Sequence, residues 1–242
     1  TNYEYNYWEI LISKWLQFYL IFLFDRWRII ENIDQKYQNL TANIINFDNL
    51  KFIPDNTADY SYYISETDWN HWIFSNILDH FPRIKKKPIN LDQTEPSLKK
   101  FTKKQKFNDL VALLLKPFNS KDIFSQIFIH GKLSNLFFKF TNRQFSENIS
   151  LSKLKSDNKI DLNLRSRLCE SRQTSQSKFE KFVLNQIMYN FPKIFLEDFS
   201  LAKNCINNMF LPKNPKILLT SMDHHFNDLF KIYAGEKKIK GS

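Results

Sequence analysis

The sequence predicts an α/β fold, in which a parallel sheet is flanked by many helices. Residues 215–240 contain a short apolar run after two prolines, then a polar turn, then an amphipathic stretch. A strand, a loop and a helix in that order are the building unit of a parallel sheet. The chain has 242 residues, of which 43% are apolar, so it can bury a core and is not a disordered protein.

The first element is predicted to be one long helix over residues 7–38. Large apolar side chains recur there mostly at steps of three and four, and neither Pro nor Gly interrupts them. The apolar run at residues 10–24 contains Lys14 and Gln17, and it is shorter than the roughly 20 residues that a membrane-spanning helix needs. We therefore expect a helix that is either buried in the core or lies along a membrane surface.

Two short strands and a second helix are predicted next. Residues 50–54 and 59–65 are rich in β-branched and aromatic side chains over strand-like lengths, and a Pro-Asp-Asn turn separates them. A helix over residues 69–80 follows. The carboxylate of Asp68 is expected to start it by accepting the free amide protons of its first turn.

A basic segment, residues 83–106, holds nine Lys and Arg residues against two acids, so it carries seven of the chain's ten excess positive charges. Its turn-forming residues around Pro88 and Pro96 predict a loop. Two interpretations stay open: a solvated loop, or a patch for nucleic acid, anionic lipid or a phosphorylated substrate. Nucleic acid is the less favoured partner, because the aromatic residues fall mostly in apolar helical patterns outside this segment.

The remaining elements alternate between helices and strands. Helices are predicted at residues 106–116, 132–140, 178–189, 195–209 and 227–240, and strands at residues 123–130, 160–164 and 215–220. The polar stretch at residues 142–176 is the best candidate for a boundary. We therefore divide the chain into an N-terminal helical and α/β region (1–150), a polar connection (151–176), and helices with the start of a second strand–helix unit (177–242).

Glycine and cysteine usage excludes several kinds of site. The chain has 3 Gly residues, where about 17 are expected at ordinary usage. The Walker A loop and the G-x-G-x-x-G fingerprint both need glycines and are therefore absent. Cys169 and Cys205 are far apart and form no C-x-x-C pair, so neither a zinc quartet nor a disulfide framework is predicted.

The densest group of polar and aromatic residues, residues 65–72, provides the first candidate site. His71 is expected near the N-terminus of the predicted helix, where free amides and the helix dipole favour a phosphate or a sugar carboxylate. A neutral imidazole with Asp68 nearby is also suited to act as a general base. His71 and Asp68 are the candidate catalytic residues, and Asn70 is a candidate substrate-binding residue. The alternative is that His71 pairs with an acid for a structural reason only.

The turn at residues 220–228 provides the second candidate site. In open α/β sheets, ligands collect outside the carboxyl ends of the strands. Ser221, His225 and Asp228 are therefore candidate substrate-binding residues for a hydroxyl or a phosphate. Adjacent histidines rarely converge on one ion, and no metal site is assigned. The simpler alternative is that Asn227 or Asp228 only starts the helix.

Arg26, in the run Asp-Arg-Trp-Arg at residues 25–28, is a third candidate for substrate binding. A guanidinium can bind a phosphate, or it can pair with a neighbouring acid, and both interpretations stay open. The sequence shows no serine-histidine-acid triad, no H-E-x-x-H helix and no acidic pair at a diagnostic spacing.

Several short motifs resemble a known family, the transferases encoded in bacterial O-antigen and other surface-polysaccharide gene clusters. The matching residues in chain order are Tyr7-Trp8 through Trp15, Phe24-Asp25-Arg26-Trp27, Thr67-Asp68-Trp69-Asn70-His71, Lys216-Ile217-Leu218-Leu219-Thr220-Ser221 and Asp228-Leu229-Phe230-Lys231. Residues 81–176 match no motif of that family. The family often has Gly-Pro before the tryptophan of its first motif, where this chain has Ser13-Lys14.

The resemblance implies an incomplete glycosyltransferase-B-like architecture with Rossmann-like parallel sheets. It implies a role in surface-polysaccharide and lipopolysaccharide biosynthesis, with a nucleotide-activated donor, no resident cofactor, and a glycan or a lipid-linked acceptor. We expect a fragment that is inactive alone, completed by a C-terminal half of the same protein. We further expect it in the cytoplasm, with peripheral contact to the inner membrane. The rival hypothesis is a non-enzymatic binding module that uses residues 83–106 to hold nucleic acid or an anionic membrane.

Overall fold

The computed structural model describes residues 4–89, 123–125, 154, 158–170, 177–209, 211, 215, 218–220 and 223–237. The chain divides into two compact units, each assembled from separate segments. Unit 1 comprises Thr1–Lys14, Leu98–Asn158 and Asp198–Ser242, and unit 2 comprises Trp15–Ser97 and Lys159–Glu197.

The described part of the chain is a mixed α/β structure that is mostly helical. Its helices are α1 (Tyr5–Lys36), α2 (Thr57–Tyr63), α3 (Thr67–Leu78), α4 (Leu162–Ser166), α5 (Lys178–Asn190), α6 (Phe199–Asn207), α7 (Asp223–Phe226) and α8 (Asp228–Glu236), with 3-10 turns at Asn49–Phe52 and Lys193–Phe195. Its strands are β1 (Thr41–Ile44), β2 (Lys85–Pro88), β3 (Ile123–Ser125) and β4 (Leu218–Thr220). They form two parallel pairs, β1 with β2 and β3 with β4.

Helix α1 confirms the predicted long helix. Its buried residues recur at steps of four and three, as a helix with one face against a core requires. These residues are Tyr7, Leu11, Trp15, Tyr19, Leu23, Trp27 and Ile30. Within the described residues, no helix has the length and apolar character that crossing a membrane requires.

The prediction of two strands at residues 50–54 and 59–65 is wrong, because these segments form a 3-10 turn and helix α2. The side chain of Asn56 accepts a hydrogen bond from the backbone N–H of Asp59 at 2.9 Å and so caps the start of α2. The buried residues Thr57, Tyr60 and Ile64 then follow at helical spacing. Capping and burial therefore outweigh the strand propensity of the tyrosines.

The first part of the basic segment is a strand and not the predicted loop. Strand β2 pairs with β1 in parallel, with Lys85 opposite Thr41 and Pro88 opposite Ile44. All four residues of β2 are exposed, so its lysines extend into solvent without burying charge. The sequence did not indicate this strand, because residues 85–88 are three lysines and a proline and show no alternation of apolar and polar residues. The remainder of the basic segment, residues 90–106, lies outside the described residues.

The edge strand predicted at residues 160–164 is also wrong. Residues Leu162–Ser166 form helix α4, and the Asp161 side chain caps it by accepting from the Leu164 N–H at 2.9 Å. Arg165 is fully buried on the inner side of this short helix. The alternating pattern at residues 160–164 therefore belongs to the start of a helix, and Arg165 is the residue of this helix that is buried.

The strand–helix order near residue 220 is confirmed, and so is a strand near residue 123. Strand β3 pairs with β4 in parallel, with Ile123 opposite Leu218 and Ser125 opposite Thr220. The helices predicted at residues 106–116 and 132–140 lie outside the described residues.

The helix predicted at residues 178–189 is confirmed by α5, and the helix predicted at 195–209 is shorter, as α6. A capping box starts α5: Ser177 accepts from the Glu180 N–H at 3.2 Å, and the Glu180 carboxylate accepts from the Ser177 N–H at 2.6 Å.

Aromatic side chains dominate the core of unit 2. The ring of Trp15 stacks on Tyr19 at a centroid distance of 5.0 Å and meets the edge of Phe191 at 4.7 Å. The indole N–H of Trp15 donates to the backbone carbonyl of Asn190 at 3.0 Å, so its polar atom is satisfied while the ring is buried.

Helix α8 lies in the core of unit 1, and every residue from Asp228 to Gly235 is buried. The hydroxyl of Tyr7 donates to the Glu236 carboxylate at 3.1 Å, which joins α1 to the end of α8. Gly235 allows this close approach, because a Cβ at that position would lie 2.9 Å from two carbons of the Tyr7 ring.

Candidate functional site

The N-terminus of α3 carries the first candidate site, but Asp68 does not cap it as predicted. The helix starts two residues earlier than predicted, at Thr67, and its N-cap residue Glu66 makes no side-chain capping bond. The Asp68 carboxylate instead accepts a hydrogen bond from Lys51 Nζ at 3.2 Å. That ammonium also lies over the ring of Phe47, 5.1 Å from its centroid.

Two candidate residues of unit 2, Arg26 and Asn70, are in direct contact. Arg26 Nε donates to Asn70 Oδ1 at 3.1 Å, although 44 residues separate them along the chain. Arg26 Nη1 also donates to Asp25 at 2.8 Å, and the guanidinium lies 5.0 Å from the centroid of the Phe22 ring. The side chain of Arg26 is only 16% exposed, so these contacts fix its direction.

The amide of Asn70 is fully used within the protein. Its Nδ2 donates to the carbonyls of Ile64 at 3.2 Å and Glu66 at 2.8 Å, while its oxygen accepts from Arg26. Asn70 therefore ties the end of α2, the start of α3 and the middle of α1 together. Its position makes it the residue that orients Arg26, while its role as a substrate ligand stays a prediction.

Open hydrogen-bond donors lie close to this contact. Arg26 uses Nε and Nη1, and its Nη2 has no partner among the described residues. The first-turn amides of α3 at Thr67, Asp68 and Trp69 likewise lack partners in the described ranges, since the N-cap provides none. A guanidinium nitrogen and the start of a helix are both donors that suit a phosphate or a carboxylate.

His71 is exposed at the start of the second turn of α3, next to Asn70 in the chain. Ser75 and Asp79, four and eight residues further along the chain, use their side chains for other contacts. The Ser75 hydroxyl donates to the backbone carbonyl of His71 at 2.8 Å, and the Asp79 carboxylate pairs with Lys86. No described residue hydrogen-bonds the imidazole, so both of its nitrogens are accessible to a substrate.

Two buried tryptophans of α3 hold the helix in place through hydrogen bonds to asparagine side chains. Trp69 Nε1 donates to Asn190 Oδ1 at 3.2 Å, and Trp72 Nε1 donates to Asn49 Oδ1 at 2.8 Å. The hydroxyl of Tyr60 is buried and unpartnered within the described part of the chain. Burial raises the pKa of Tyr60, while the positive charge of Arg26 acts in the opposite direction.

The second candidate site belongs to unit 1, and the structure gives its predicted residues different positions and contacts. Ser221 lies outside the described residues. Asn227 caps α8 by accepting from the Phe230 N–H at 3.2 Å, so the helix-start interpretation is confirmed for that residue. Asp228 is fully buried and pairs with Lys231 at 2.5 Å, which places its carboxylate inside the packing of α8.

His225 is the predicted residue of this second site that offers a reactive group. Its ring lies 3.7 Å from the His224 ring between centroids. Its Nδ1 is buried and has no partner among the residues described. Burial is the main cause that lowers the pKa of both imidazoles, and the positive charges of Lys14 and Lys231 lower it further.

The described part of the basic segment is partly neutralised. Arg83 binds Asp34 through two nitrogens, Nε at 3.2 Å and Nη2 at 2.5 Å, and Lys86 pairs with Asp79. Two of the four described basic residues of this segment therefore form ion pairs with acids of unit 2. Within the described ranges, no three His, Cys, Asp or Glu side chains converge as metal ligands would.

Sequence reasoning missed one prominent polar group, the buried pair of Arg165 and Glu197. Arg165 also donates to the carbonyls of Met188 at 2.9 Å and Phe191 at 2.8 Å. These carbonyls lie at the end of α5, so the pair fastens α4 to α5 and is structural. A contact between residues 32 positions apart leaves no local pattern in the sequence.

Residues 1–242 match the family described as "LIC12162 family transferase". No curated protein and no solved structure matches the chain.

Proposed function

The chain belongs to the LIC12162 family of transferases, and from this premise we propose that it is a glycosyltransferase-like enzyme of bacterial surface-polysaccharide and O-antigen assembly. The transferred group is a sugar from a nucleotide-activated donor, and the acceptor is a glycan or a lipid-linked glycan. The architecture proposed for the complete enzyme is of the glycosyltransferase-B kind. The parallel strand pairs of both units are compatible with this architecture.

The observation that carries the proposal is the hydrogen bond between Arg26 and Asn70. It fixes a largely buried cation beside the uncapped start of α3, and His71 is exposed on the same helix. One place therefore offers donors for an anionic group and an accessible imidazole for proton transfer. Those are the two functions that a transferase needs to position an acceptor and activate its hydroxyl.

In the proposed reaction, the acceptor hydroxyl attacks the anomeric carbon of the donor sugar. A new C–O bond forms, the bond between the sugar and the nucleoside diphosphate breaks, and the diphosphate leaves with the bonding electrons. The hydroxyl proton moves to a nitrogen of the His71 imidazole. Arg26 Nη2 and the first-turn amides of α3 hold a phosphate or a carboxylate of the acceptor. Asn70 orients Arg26.

A lipid-linked acceptor remains in the membrane, so the proposal includes peripheral contact with the cytoplasmic face of the inner membrane. Helix α1 presents exposed apolar side chains that suit such a contact. Leu20 is 41% exposed, Ile21 is 53% exposed and Phe24 is 52% exposed. Side chains of this type can enter the boundary between headgroups and acyl chains.

The test is a transfer assay with the full-length protein, lipid extracts as acceptor and a panel of labelled nucleotide sugars. His71→Ala is expected to lower kcat by about 100-fold to 10,000-fold, the usual contribution of a general base. Arg26→Ala is expected mainly to raise KM for the acceptor. Arg28→Ala is the matched control, because Arg28 lies on the same helix and pairs with Glu31 at the surface. Unchanged transfer by folded His71→Ala would remove His71 from the mechanism, and absence of transfer from every nucleotide sugar would overturn the proposed function.

A further inference from the structure

Three exposed apolar side chains of α1, which we call the α1 patch, lie together on the surface of unit 2: Leu20, Ile21 and Phe24. Leu20 and Ile21 both neighbour Phe24 on the helix surface, because they precede it by four and three residues. Ile29 is exposed to a similar degree, but it follows Phe24 by five residues and therefore lies on another side of the helix. The patch is thus one contiguous apolar strip.

The start of α5 lies beside this patch. The ring of Phe179 meets the Phe24 ring at a centroid distance of 5.4 Å, and it lies 5.5 Å from the ring of the buried Trp27. Further along α5, the carbonyl of Val183 accepts a hydrogen bond from the hydroxyl of Tyr19. The two helices therefore run antiparallel in contact, and the first turn of α5 extends the surface of the patch.

Two lysines at the start of α5, Lys178 and Lys181, add positive charge next to Phe179 in the chain. Both are exposed, and neither has an ion-pair partner among the residues that the structure describes. Glu180 lies between them, but its carboxylate accepts from the Ser177 N–H at the helix start. Positive charge is unfavourable at a helix N-terminus, so these lysines do not serve the stability of α5.

Strand β2 brings further positive charge close to α5. Lys86 pairs with Asp79, and the next residue, His80, packs its ring against α5. Lys85 and Lys87 alternate with Lys86 along the strand, so they share its opposite face. Both are exposed, and within the described ranges neither has an ion-pair partner. Unit 2 therefore combines an exposed apolar strip with lysines whose charge no described acid balances.

This combination fits an anionic lipid surface better than a protein partner. Three side chains that are about half exposed offer far less area than the roughly 800 Å² per partner that a stable protein interface buries. Apolar side chains can enter the boundary between headgroups and acyl chains, while lysines beside them reach the lipid phosphates. The acids near the patch on α1, Asp25 and Glu31, are already paired with arginines, so they oppose this attraction little.

We propose that the α1 patch, together with the lysines of α5 and β2, docks unit 2 on a bilayer that contains anionic phospholipid. Leu20, Ile21 and Phe24 enter the boundary between headgroups and acyl chains, and Lys178 and Lys181 contact the lipid phosphates. The docking stands on this surface alone. Its role, which is to bring the enzyme to a lipid-linked acceptor, rests on the proposed function.

The experiment measures binding of the full-length protein to vesicles by co-sedimentation. One set of vesicles is phosphatidylcholine alone, and the other contains equal amounts of phosphatidylcholine and phosphatidylglycerol. Binding is expected to need phosphatidylglycerol and to weaken as salt is added, because salt screens the lysines. Ile21→Ser is expected to weaken binding by about fivefold or more, and so is Lys178→Gln combined with Lys181→Gln.

The matched controls make the same chemical changes elsewhere on unit 2. Ile29→Ser replaces an equally exposed apolar side chain on another side of α1. Lys36→Gln combined with Lys159→Gln removes two charges at exposed positions outside the proposed surface. Each control is expected to change the affinity by about twofold or less. Equal losses in the controls and in the patch and lysine variants would show attraction by net charge or apolarity alone and would overturn the proposed surface.

A second readout detects insertion directly. In Phe24→Trp, the added indole is expected to be quenched by brominated phospholipid in the vesicles, because it enters the acyl boundary. In Ile29→Trp, the added indole should not be quenched. The signal in each case is the difference from the parent protein with its five native tryptophans. Equal quenching of the two added indoles would overturn the proposed orientation of α1.

The remaining outcomes decide the partner. Absence of binding to phosphatidylglycerol vesicles would overturn the docking, and equal binding to neutral vesicles would overturn the choice of anionic lipid. A dimer seen by sedimentation velocity that Ile21→Ser dissociates would show that a second copy of the chain covers the patch, and this would also overturn the proposal.

These measurements separate the docking surface from the proposed function. Vesicle binding needs no transfer reaction, so it can succeed while every nucleotide sugar fails in the transfer assay. In the reverse case, transfer to an acceptor in vesicles that is unchanged in Ile21→Ser and in the variant lacking Lys178 and Lys181 would overturn the role of the docking surface alone.

Discussion

The guanidinium of Arg165 binds both carboxylate oxygens of Glu197, with Nε to Oε1 at 2.7 Å and Nη2 to Oε2 at 2.8 Å. Arg165 is fully buried and Glu197 is 4% exposed, so the two charges are removed from water together. Planar, two-bond pairs of this kind have a fixed geometry. The pair therefore sets how α4 lies against the end of α5.

Replacing one member of this pair should lower the free energy of unfolding far more than replacing both members with apolar residues. Arg165→Ala is expected to lower the free energy of unfolding by about 3–5 kcal/mol, because the Glu197 charge stays buried without a partner. Arg165→Met combined with Glu197→Leu should lower it by much less than the sum of the single changes. Urea titration measures both. The exposed Arg167→Ala is the control and should change it by less than about 0.5 kcal/mol. Additive losses in the double variant would contradict this account.

Acidification should destabilise the protein through His80. Burial against the rings of Trp27 and Phe182 lowers the pKa of His80, and nearby Lys178 lowers it further, while Asp79 opposes the shift. The folded state then binds fewer protons than the unfolded state below about pH 6.5, the usual histidine value. Stability should therefore fall as the pH is lowered from 7 to 5.5, and the loss should end below the folded pKa.

The comparison for His80 is the variant His80→Gln. Its unfolding free energy, measured by urea titration at each pH, should decrease less steeply over the same range. His224 and His225 shift in the same direction, so part of the slope should remain in the variant. Identical slopes for the parent and His80→Gln would rule out a contribution from His80.

Gly235→Ala should destabilise the protein although alanine is the better helix former. The new Cβ would lie 2.9 Å from the Tyr7 ring and 3.0 Å from Leu11, and Tyr7 is held by its bond to Glu236. Overpacking costs typically about 1–3 kcal/mol, against about 1 kcal/mol gained in helix propensity. We expect a net loss of up to about 2 kcal/mol in thermal or urea unfolding. Adding Tyr7→Leu should make the Gly235→Ala change milder, and an equally stable Gly235→Ala protein would show that the Tyr7 ring moves freely.

Long helices and the last strand–helix unit could be predicted from the sequence, because their signals are local. The buried residues of α1 recur at helical spacing over 32 residues, and the capping box at Ser177 marks the start of α5. The short elements could not be predicted. Tyr60 and its neighbours have strand propensity, but Asn56 starts a helix there, and the pairing that makes Lys85–Pro88 a strand comes from a segment 44 residues earlier.

For the candidate site, the sequence indicated residues but not their contacts, and the role of these residues in binding or catalysis stays a prediction. His71, Asn70 and Arg26 were named from residue type and position, but nothing in the sequence indicates that Asn70 orients Arg26. Asp68 was expected to cap α3 because an acid preceded the apolar pattern, whereas its actual partner is Lys51. Contacts of this kind depend on how the helices pack, and packing partners distant in the chain leave no periodic signal.

The bond between Tyr7 and Glu236 joins two residues 229 positions apart. During synthesis, the first turns of α1 emerge from the ribosome long before α8 exists to cover them. Unit 1 cannot reach its native arrangement until residue 236 has been translated, since contacts of such sequence separation form only when both ends are present. Until then Tyr7 and Leu11 are exposed apolar surface on a nascent chain, and a chaperone that shields this stretch is expected to improve the yield of folded protein.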